Sequence, residues 1–192
     1  MKKVTVALLL ALFFAPVAIA ILLNSQWLDW RPGSTRNHGE LLQPAVRLPE
    51  FELQTAAGNR VSRETLAGQW QLLHYRPAGC SEACLEDLYW LRQIRLGQDR
   101  HQPEIDLMLV TPGEVNNDTL SAIHDLAEDF RVVSGTAGKT LGTALPDPGL
   151  KPISYIVDPK GHIILSYPQD ADLNGMRRDL SRLLTWTQTG PE

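Results

Sequence analysis

The sequence predicts an α/β domain with a mixed sheet flanked by helices, carried by an N-terminal transmembrane helix. Three observations indicate this: an uncharged amino-terminal run, then an order of strand, helix, strand, helix, hairpin and helix, and two cysteines where a strand gives way to a helix. The 192 residues, 43% of them apolar, suit one domain. The formal charge is -4 and no basic cluster occurs, so nucleic-acid binding is not expected.

The amino terminus predicts a single membrane helix. No charged residue occurs from Val4 to Leu23, and a helix of that length spans roughly 30 Å. Lys2 and Lys3 precede the run, so the positive-inside rule places the rest of the chain outside the cytoplasm. A cleaved signal peptide is the alternative, because Ala18-Ile19-Ala20 has the form of a cleavage site.

The pattern after the apolar run divides the chain into further parts. Proline and glycine with little apolar periodicity indicate a linker, and alternating strands and amphipathic helices indicate the domain. The expected division is an anchor at 1–23, a linker at 24–46, the domain at 47–187 and a tail at 188–192.

The first half of the domain is expected to lead into the cysteines. A short hairpin and a helical turn precede an apolar run that is typical of a buried strand, and an amphipathic helix follows the cysteine loop. The expected elements are a strand from Phe51 to Leu53 returning at Val61, a helical turn from Ser62 to Leu66, a strand from Trp70 to Tyr75, and a helix from Cys84 with Leu85, Leu88, Tyr89, Leu91, Ile94 and Leu96 on one face, ending at Gly97.

The second half completes the sheet. A second buried strand stops at Thr111-Pro112-Gly113, and a helix that Asn117 or Asp118 can cap follows it. A late hairpin turns at Asp158-Pro159-Lys160-Gly161. The expected elements are a strand from Ile105 to Val110, a helix with Leu120, Ile123, Ala127 and Phe130 facing inward, strands from Ile153 to Val157 and His162 to Tyr167, and a last helix with Leu173, Met176, Leu180, Leu183 and Leu184 on one face.

The only two cysteines, Cys80 and Cys84, are the main functional signal. Cys80 is expected at the start of a helix, where free amides and the dipole favour a thiolate, and Cys84 on the same face four residues later. Two converging sulfurs suit a Cu(I) site or a dithiol/disulfide couple. An inert structural disulfide, or a pair of buried thiols, is the third interpretation.

The segments around the cysteines resemble a known family. The strand LLHYRPAGC, the motif CSEAC, the strand IDLMLVTP and the late hairpin ISYIVDPKGHIILSYP are together similar to the thioredoxin-like Sco-type proteins of cytochrome c oxidase assembly. The resemblance covers about 48–186. It implies a thioredoxin-like fold on the periplasmic side of a bacterial inner membrane, Cu(I) ligands at Cys80 and Cys84, and a partner that is the copper-site subunit of the respiratory oxidase or another periplasmic cysteine protein.

The chain departs from that family at the third copper ligand. Sco-type proteins supply a histidine just before the late strand, where this chain has Gly149-Leu150-Lys151-Pro152. Pro152 instead resembles the cis-proline that thioredoxin folds place beside their reactive sulfurs. His74 and His162 are weaker candidate ligands: His74 enters the active loop but is more simply a packed or surface strand residue, and His162 begins the return strand.

Three functions therefore remain open. Cys80 and Cys84 bind Cu(I) and pass it to a cuproprotein, or Cys80 attacks a partner disulfide and Cys84 resolves the mixed disulfide, or the two form a static bridge in a scaffold. A general thiol-disulfide oxidoreductase unrelated to copper is a variant of the second. The sequence leaves enzyme activity undecided.

Overall fold

The computed structural model describes Thr5, residues 10–16 and residues 37–188. The chain divides into two units, Met1–Arg36 and Asn37–Glu192. In the first unit Thr5 and residues 10–16 are helical, and most of the expected anchor lies outside the described residues. Among the residues that are described, no helix has both the length and the apolar character needed to cross a bilayer.

A six-stranded mixed sheet forms the centre of the second unit. Its strands are β1 (Glu40–Arg47), β4 (Trp70–Tyr75), β5 (Ile105–Val110), β6 (Arg131–Val133), β7 (Ile153–Val157) and β8 (His162–Pro168). They lie in the order β1-β8-β7-β4-β5-β6. Strands β4, β5 and β6 pair in parallel, whereas β7 is antiparallel to both β4 and β8, and β1 is antiparallel to β8. A separate hairpin pairs β2 (Glu52–Gln54) with β3 (Arg60–Ser62).

Helices cover both faces of the sheet. They are α1 (Arg63–Leu66), α2 (Glu82–Leu96), α3 (Asn117–Leu126), α4 (Gly135–Gly142) and α5 (Leu173–Gln188), with a 3-10 turn at Asp99–Glu104. Alternating strand residues divide the core: Leu72 and Leu107 pack with α2, α3 and α5, while Leu73 and Met108 pack with α1, α4 and the hairpin. The predicted α/β arrangement with a mixed sheet and flanking helices is confirmed.

The domain begins earlier than the sequence indicates. The expected linker at 24–46 overlaps β1, which pairs with β8 along the edge of the sheet. Pro44 and a register shift between Leu41 and Val46 interrupt the alternation that would have revealed a strand. The assignment of 37–46 to a linker is therefore wrong, because these residues belong to the second unit.

Two further elements were not predicted. Strand β6 has only three residues, and α4 contains Gly135, Gly138 and Gly142, which weaken a helical pattern. The glycines are needed for packing: a Cβ on Gly138 would lie 1.8 Å from the carbonyl oxygen of Thr111. Helix α4 therefore approaches the end of β5 more closely than a side chain would allow.

Candidate functional site

The two cysteines meet at the start of α2, as the sequence predicts. Cys80 and Cys84 form a disulfide with an S–S distance of 2.01 Å and a Cα–Cα distance of 5.1 Å. Ser81 is the N-cap of α2, so Cys80 lies just outside the helix and Cys84 within its first turn. Cys84 is completely buried in the core beneath α2, whereas Cys80 is half-buried. Only Cys80 is thus placed to meet a partner.

The loop that carries Cys80 is fixed by close backbone contact with the loop after β5. Gly79 has a φ of 80°, the left-handed region that favours glycine. A Cβ on Gly113 would lie 2.8 Å from Gly79 Cα, so the two backbones touch where neither has a side chain. The predicted stop at Thr111-Pro112-Gly113 therefore also supports the cysteine loop, a role that its turn pattern did not reveal.

A buried polar group lies one turn along α2 from Cys84. His74 on β4 is 3% exposed, and its Nδ1 lies 2.9 Å from Ser154 Oγ on the neighbouring strand β7. Its Nε2 lies 3.4 Å from Asp87 Oδ2 and makes no hydrogen bond. Arg76 donates from a terminal guanidinium nitrogen to the same Asp87 oxygen at 2.5 Å.

The charges of this group act mainly on Asp87. Its partial burial opposes ionisation, but His74 and Arg76 beside it outweigh that effect and lower the pKa of the carboxyl group. Asp87 is therefore a carboxylate at neutral pH, and Arg76 is engaged with it. Sequence reasoning missed Asp87, although its position three residues after Cys84 puts both on the inner side of α2.

A cavity of about 160 Å³ opens beside this group, between α2 and the start of α5. We call it the α2–α5 pocket. Its lining residues include His74, Asp87, Trp90, Tyr167, Asp170 and Met176. His74, Tyr167 and Met176 are buried at its base, while Trp90 and Asp170 are exposed at its mouth. This pocket was not predictable from the sequence, because its walls come from five separate elements, α2, α5, β4, β7 and β8.

The structure does not gather the candidate copper ligands into one cluster. Among the described residues no three His, Cys, Asp or Glu side chains form a group that could hold a metal ion. His74 turns its ring nitrogens toward Ser154 and Asp87, and it is buried because helices cover both faces of the sheet. His162 lies beside Asp158 at the opposite end of the sheet from Cys80. The suggestion of His162 as a ligand is wrong.

Pro152 lies at the cysteine end of the sheet without the expected peptide geometry. It precedes β7, whose first residue pairs with Tyr75 at the end of β4, and so lies at the same end of the sheet as the cysteine loop. The Lys151–Pro152 bond is trans, since the cis peptide bond among the described residues is Gln43–Pro44. The resemblance of Pro152 to a cis-proline is therefore wrong.

Comparisons with known proteins agree with this architecture. A sequence model of the family described as transmembrane-like, thioredoxin-like, C-terminal domain matches residues 70–187. No curated protein matches the chain in sequence.

Solved structures of Sco proteins share the fold. Apo Sco1 from Thermus thermophilus superposes with a TM-score of 0.61 at 17% identity, covering 80% of this chain and 99% of that one. Yeast Sco1 with copper bound superposes with a TM-score of 0.59 at 16% sequence identity, covering 74% of this chain and 94% of that one. BsSco is described as a Sco-family cytochrome c oxidase assembly protein with a disulfide switch. It superposes with a TM-score of 0.55 at 13% sequence identity, covering 71% of this chain and 92% of that one. The chain therefore has a thioredoxin-like fold of the Sco type.

Proposed function

Because the chain belongs to the family described as transmembrane-like, thioredoxin-like, C-terminal domain, we propose that it exchanges thiols and disulfides with a partner protein through Cys80 and Cys84. The observation that carries this proposal is the unequal burial of the two sulfurs. Cys80 is half-buried just before α2, whereas Cys84 is fully buried in its first turn. This arrangement suits an attacking cysteine and a resolving cysteine.

The exchange reaction follows from this placement. In the reduced protein the Cys80 thiolate attacks one sulfur of a partner disulfide, and the other partner sulfur leaves as a thiolate. The Cys84 thiolate then attacks Cys80 Sγ, which forms the intramolecular disulfide and releases the second partner cysteine as a thiolate. The partner is reduced by two electrons and this protein is oxidised, and a separate dithiol must restore its reduced form.

The free amides at the start of α2 support the first step. Ser81 makes no side-chain cap, so its hydroxyl does not occupy the first amides of the helix. The positive end of the helix dipole stabilises a thiolate at Cys80. Arg76 contributes less, because its guanidinium is paired with Asp87.

We place this activity in the assembly of a respiratory oxidase copper site. The proposed partner is the copper-site subunit or another periplasmic cysteine protein, whose metal-ligand cysteines would be kept reduced. The similarity to BsSco, a Sco-family assembly protein, supports this setting. The uncharged run from Val4 to Leu23 supports anchoring in a bacterial inner membrane with the domain in the periplasm.

Cu(I) carriage is the second candidate function, with the metal as cargo. The two sulfurs converge on one point, and thiolates are soft ligands that suit Cu(I). The two sulfurs are the whole donor set, because the described residues supply no third ligand and the loop before β7 has no histidine. Any Cu(I) would be held by Cys80 and Cys84 alone, and only after their disulfide is reduced.

Trapping experiments test the exchange proposal. A Cys84→Ser variant keeps the attacking sulfur and lacks the resolving one, so it should accumulate a mixed disulfide with the partner on non-reducing gels of solubilised membranes. Cys80→Ser is the matched control and should trap at least about tenfold less, because its remaining sulfur is buried. Equal trapping by the two variants, or trapping by neither, would contradict the proposal. Titration of the reduced protein with Cu(I) against a sub-micromolar chelator tests the second candidate.

A further inference from the structure

The α2–α5 pocket has an unsatisfied polar base. His74 is almost completely buried, and its Nε2 makes no hydrogen bond although Asp87 Oδ2 is only 3.4 Å away. Nδ1 lies within hydrogen-bond distance of the Ser154 hydroxyl, which can donate or accept, and Nε2 is left without a partner beside the Asp87 carboxylate. That carboxylate has acceptor sites for a second donor besides Arg76. The base of the pocket is therefore suited to an N–H donor from outside the domain.

The mouth of the pocket is acidic and aromatic. Asp170 and Asp172 lie at its rim, and no Lys or Arg lines the cavity. Asp172 is paired with Arg178 at 3.0 Å, whereas Asp170 forms no ion pair within the described part of the chain. Trp90 is 42% exposed beside them and offers a ring face to a cation.

The walls between mouth and base are apolar. Leu91 and Met176 are each at most 2% exposed on the rest of the protein and still line the cavity. An aliphatic stem fits against such walls, while its charged head needs the polar groups. Apolar walls, carboxylates and an aromatic ring together match a lysine or arginine side chain, and a volume of about 160 Å³ is of the size such a side chain needs.

The pocket is close to the disulfide. Asp87 and Leu91 follow Cys84 by three and seven residues, so all three share one side of α2, and Asp87 is about 4.5 Å farther along the helix axis. Cys80 is a further 5.1 Å from Cys84 between Cα atoms. On an extended partner chain, a residue three positions from the reacting cysteine is about 10 Å away from it.

We propose that the α2–α5 pocket receives a lysine or arginine side chain of the partner protein, near in sequence to the cysteine that joins Cys80. That this side chain lies near the reacting cysteine depends on the proposed exchange function, whereas the binding of the basic side chain depends on the pocket alone. The acidic surface of the domain agrees with such a partner: beyond Leu23 the chain has 16 basic and 22 acidic residues.

A binding experiment without thiol chemistry tests the pocket. The full chain, solubilised in detergent with its disulfide intact, is titrated with capped pentapeptides Gly-Gly-X-Gly-Gly in which X is arginine, lysine, norleucine or glutamate. The Trp90 indole N–H signal in NMR should shift saturably with the arginine and lysine peptides, and the norleucine peptide should bind at least about fivefold more weakly. Equal shifts with norleucine, or no shift with any peptide, would overturn the proposal.

Variants locate the binding. Isothermal titration calorimetry measures binding here, because Trp90→Ala removes the indole signal. Trp90→Ala and Asp170→Asn alter exposed rim residues and should each weaken binding of the arginine peptide about threefold to tenfold. Asp125→Asn removes the same charge from an exposed site on α3 that does not line the cavity, and should leave binding unchanged. Equal losses in all three variants would indicate a general charge effect and overturn the assignment. Free n-butylammonium binding as tightly as the lysine peptide would indicate a small-amine site and overturn the partner assignment.

An exchange experiment separates this inference from the proposed function. The same peptides, extended by an amino-terminal cysteine that lies three positions before X, attack the oxidised protein, forming a mixed disulfide with Cys80 and releasing Cys84 as a thiolate. Mass spectrometry of quenched samples should show faster adduct formation with arginine than with norleucine. Adducts without that preference would overturn the pocket and leave the exchange function, whereas arginine binding without any adduct would leave the pocket and overturn the exchange function.

Discussion

Asp179 shows how one buried acid joins distant parts of the chain. Its carboxylate is 1% exposed and accepts hydrogen bonds from the backbone amides of His38 at 2.6 Å and Gly39 at 3.1 Å. The hydroxyl of Tyr167 donates to it at 2.9 Å. Burial opposes its ionisation, but the hydrogen bonds from His38, Gly39 and Tyr167 outweigh that effect and lower its pKa. The start of the domain is thereby tied to its last helix.

Replacing this carboxylate should destabilise the protein in a pH-dependent way. Asp179→Asn should lower the free energy of unfolding at pH 7 by about 2–3 kcal/mol, because two amides and a hydroxyl lose a charged acceptor. Because the pKa of Asp179 is lower in the folded protein than its unfolded value of 3.8, the ionised carboxylate stabilises the fold above that pH. This stabilisation is lost as the pH falls through the lower pKa of the folded state. Urea unfolding at pH 7 and at about pH 3 checks this, and the deficit should be smaller at pH 3. A difference in the free energy of unfolding that is equal at the two pH values would contradict this prediction.

At the scale of elements, the contact between the cysteine loop and the loop after β5 makes a second prediction. Gly113→Ala would place a Cβ 2.8 Å from Gly79 Cα, and backbone cannot yield as a side chain can. The free energy of unfolding should fall by about 1–3 kcal/mol, and dithiothreitol should reduce the disulfide faster as its loop loosens. Denaturant titration and timed thiol trapping measure the two effects.

Gly149→Ala is the matched control for this change. A Cβ there would lie 3.9 Å from the nearest atom, the carbonyl oxygen of Asp147, which is ordinary contact. Its free energy of unfolding should stay within about 0.5 kcal/mol of the parent. The proposed support of the cysteine loop would be wrong if Gly113→Ala behaved like Gly149→Ala.

The elements also show how far the sequence predicts the fold and the site. Buried strands such as β4 and β5 are mostly apolar, and the cysteine spacing places both sulfurs at the start of α2, so these features were predictable. Strand β1 was not, because Pro44 breaks its pattern and its partner β8 is more than 100 residues away. The contact between buried His74 and partly buried Asp87 depends on α2 crossing the strand, which no local pattern encodes.

At the scale of the whole molecule, the disulfide closes too short a loop to hold the fold together. Cys80 and Cys84 are four residues apart, and the chain-entropy relation assigns a bridge of this span about 2 kcal/mol. A domain of this size ordinarily has 5–15 kcal/mol in total. We therefore expect the two cores on either side of the sheet to persist when the bridge opens, as the proposed thiol-disulfide exchange would require.

Reduction should accordingly leave the protein folded. The free energy of unfolding in dithiothreitol should be lower than that of the oxidised form by about 2 kcal/mol at most. Urea titrations followed by far-UV circular dichroism, with and without reductant, measure the difference, and the Cys80→Ser, Cys84→Ser double variant should match the reduced protein. Loss of cooperative unfolding on reduction would indicate a static structural bridge instead.

The two outermost strands of the sheet bear on how the protein avoids aggregation. Strand β1 carries Pro44, which has no amide to donate, together with a shift in register, and β6 at the opposite border has only three residues. Neither border offers a long, regular row of amides and carbonyls for another chain to extend. Fibril-like association through the sheet is thereby disfavoured, and contacts between this protein and others are left to its loops and helices.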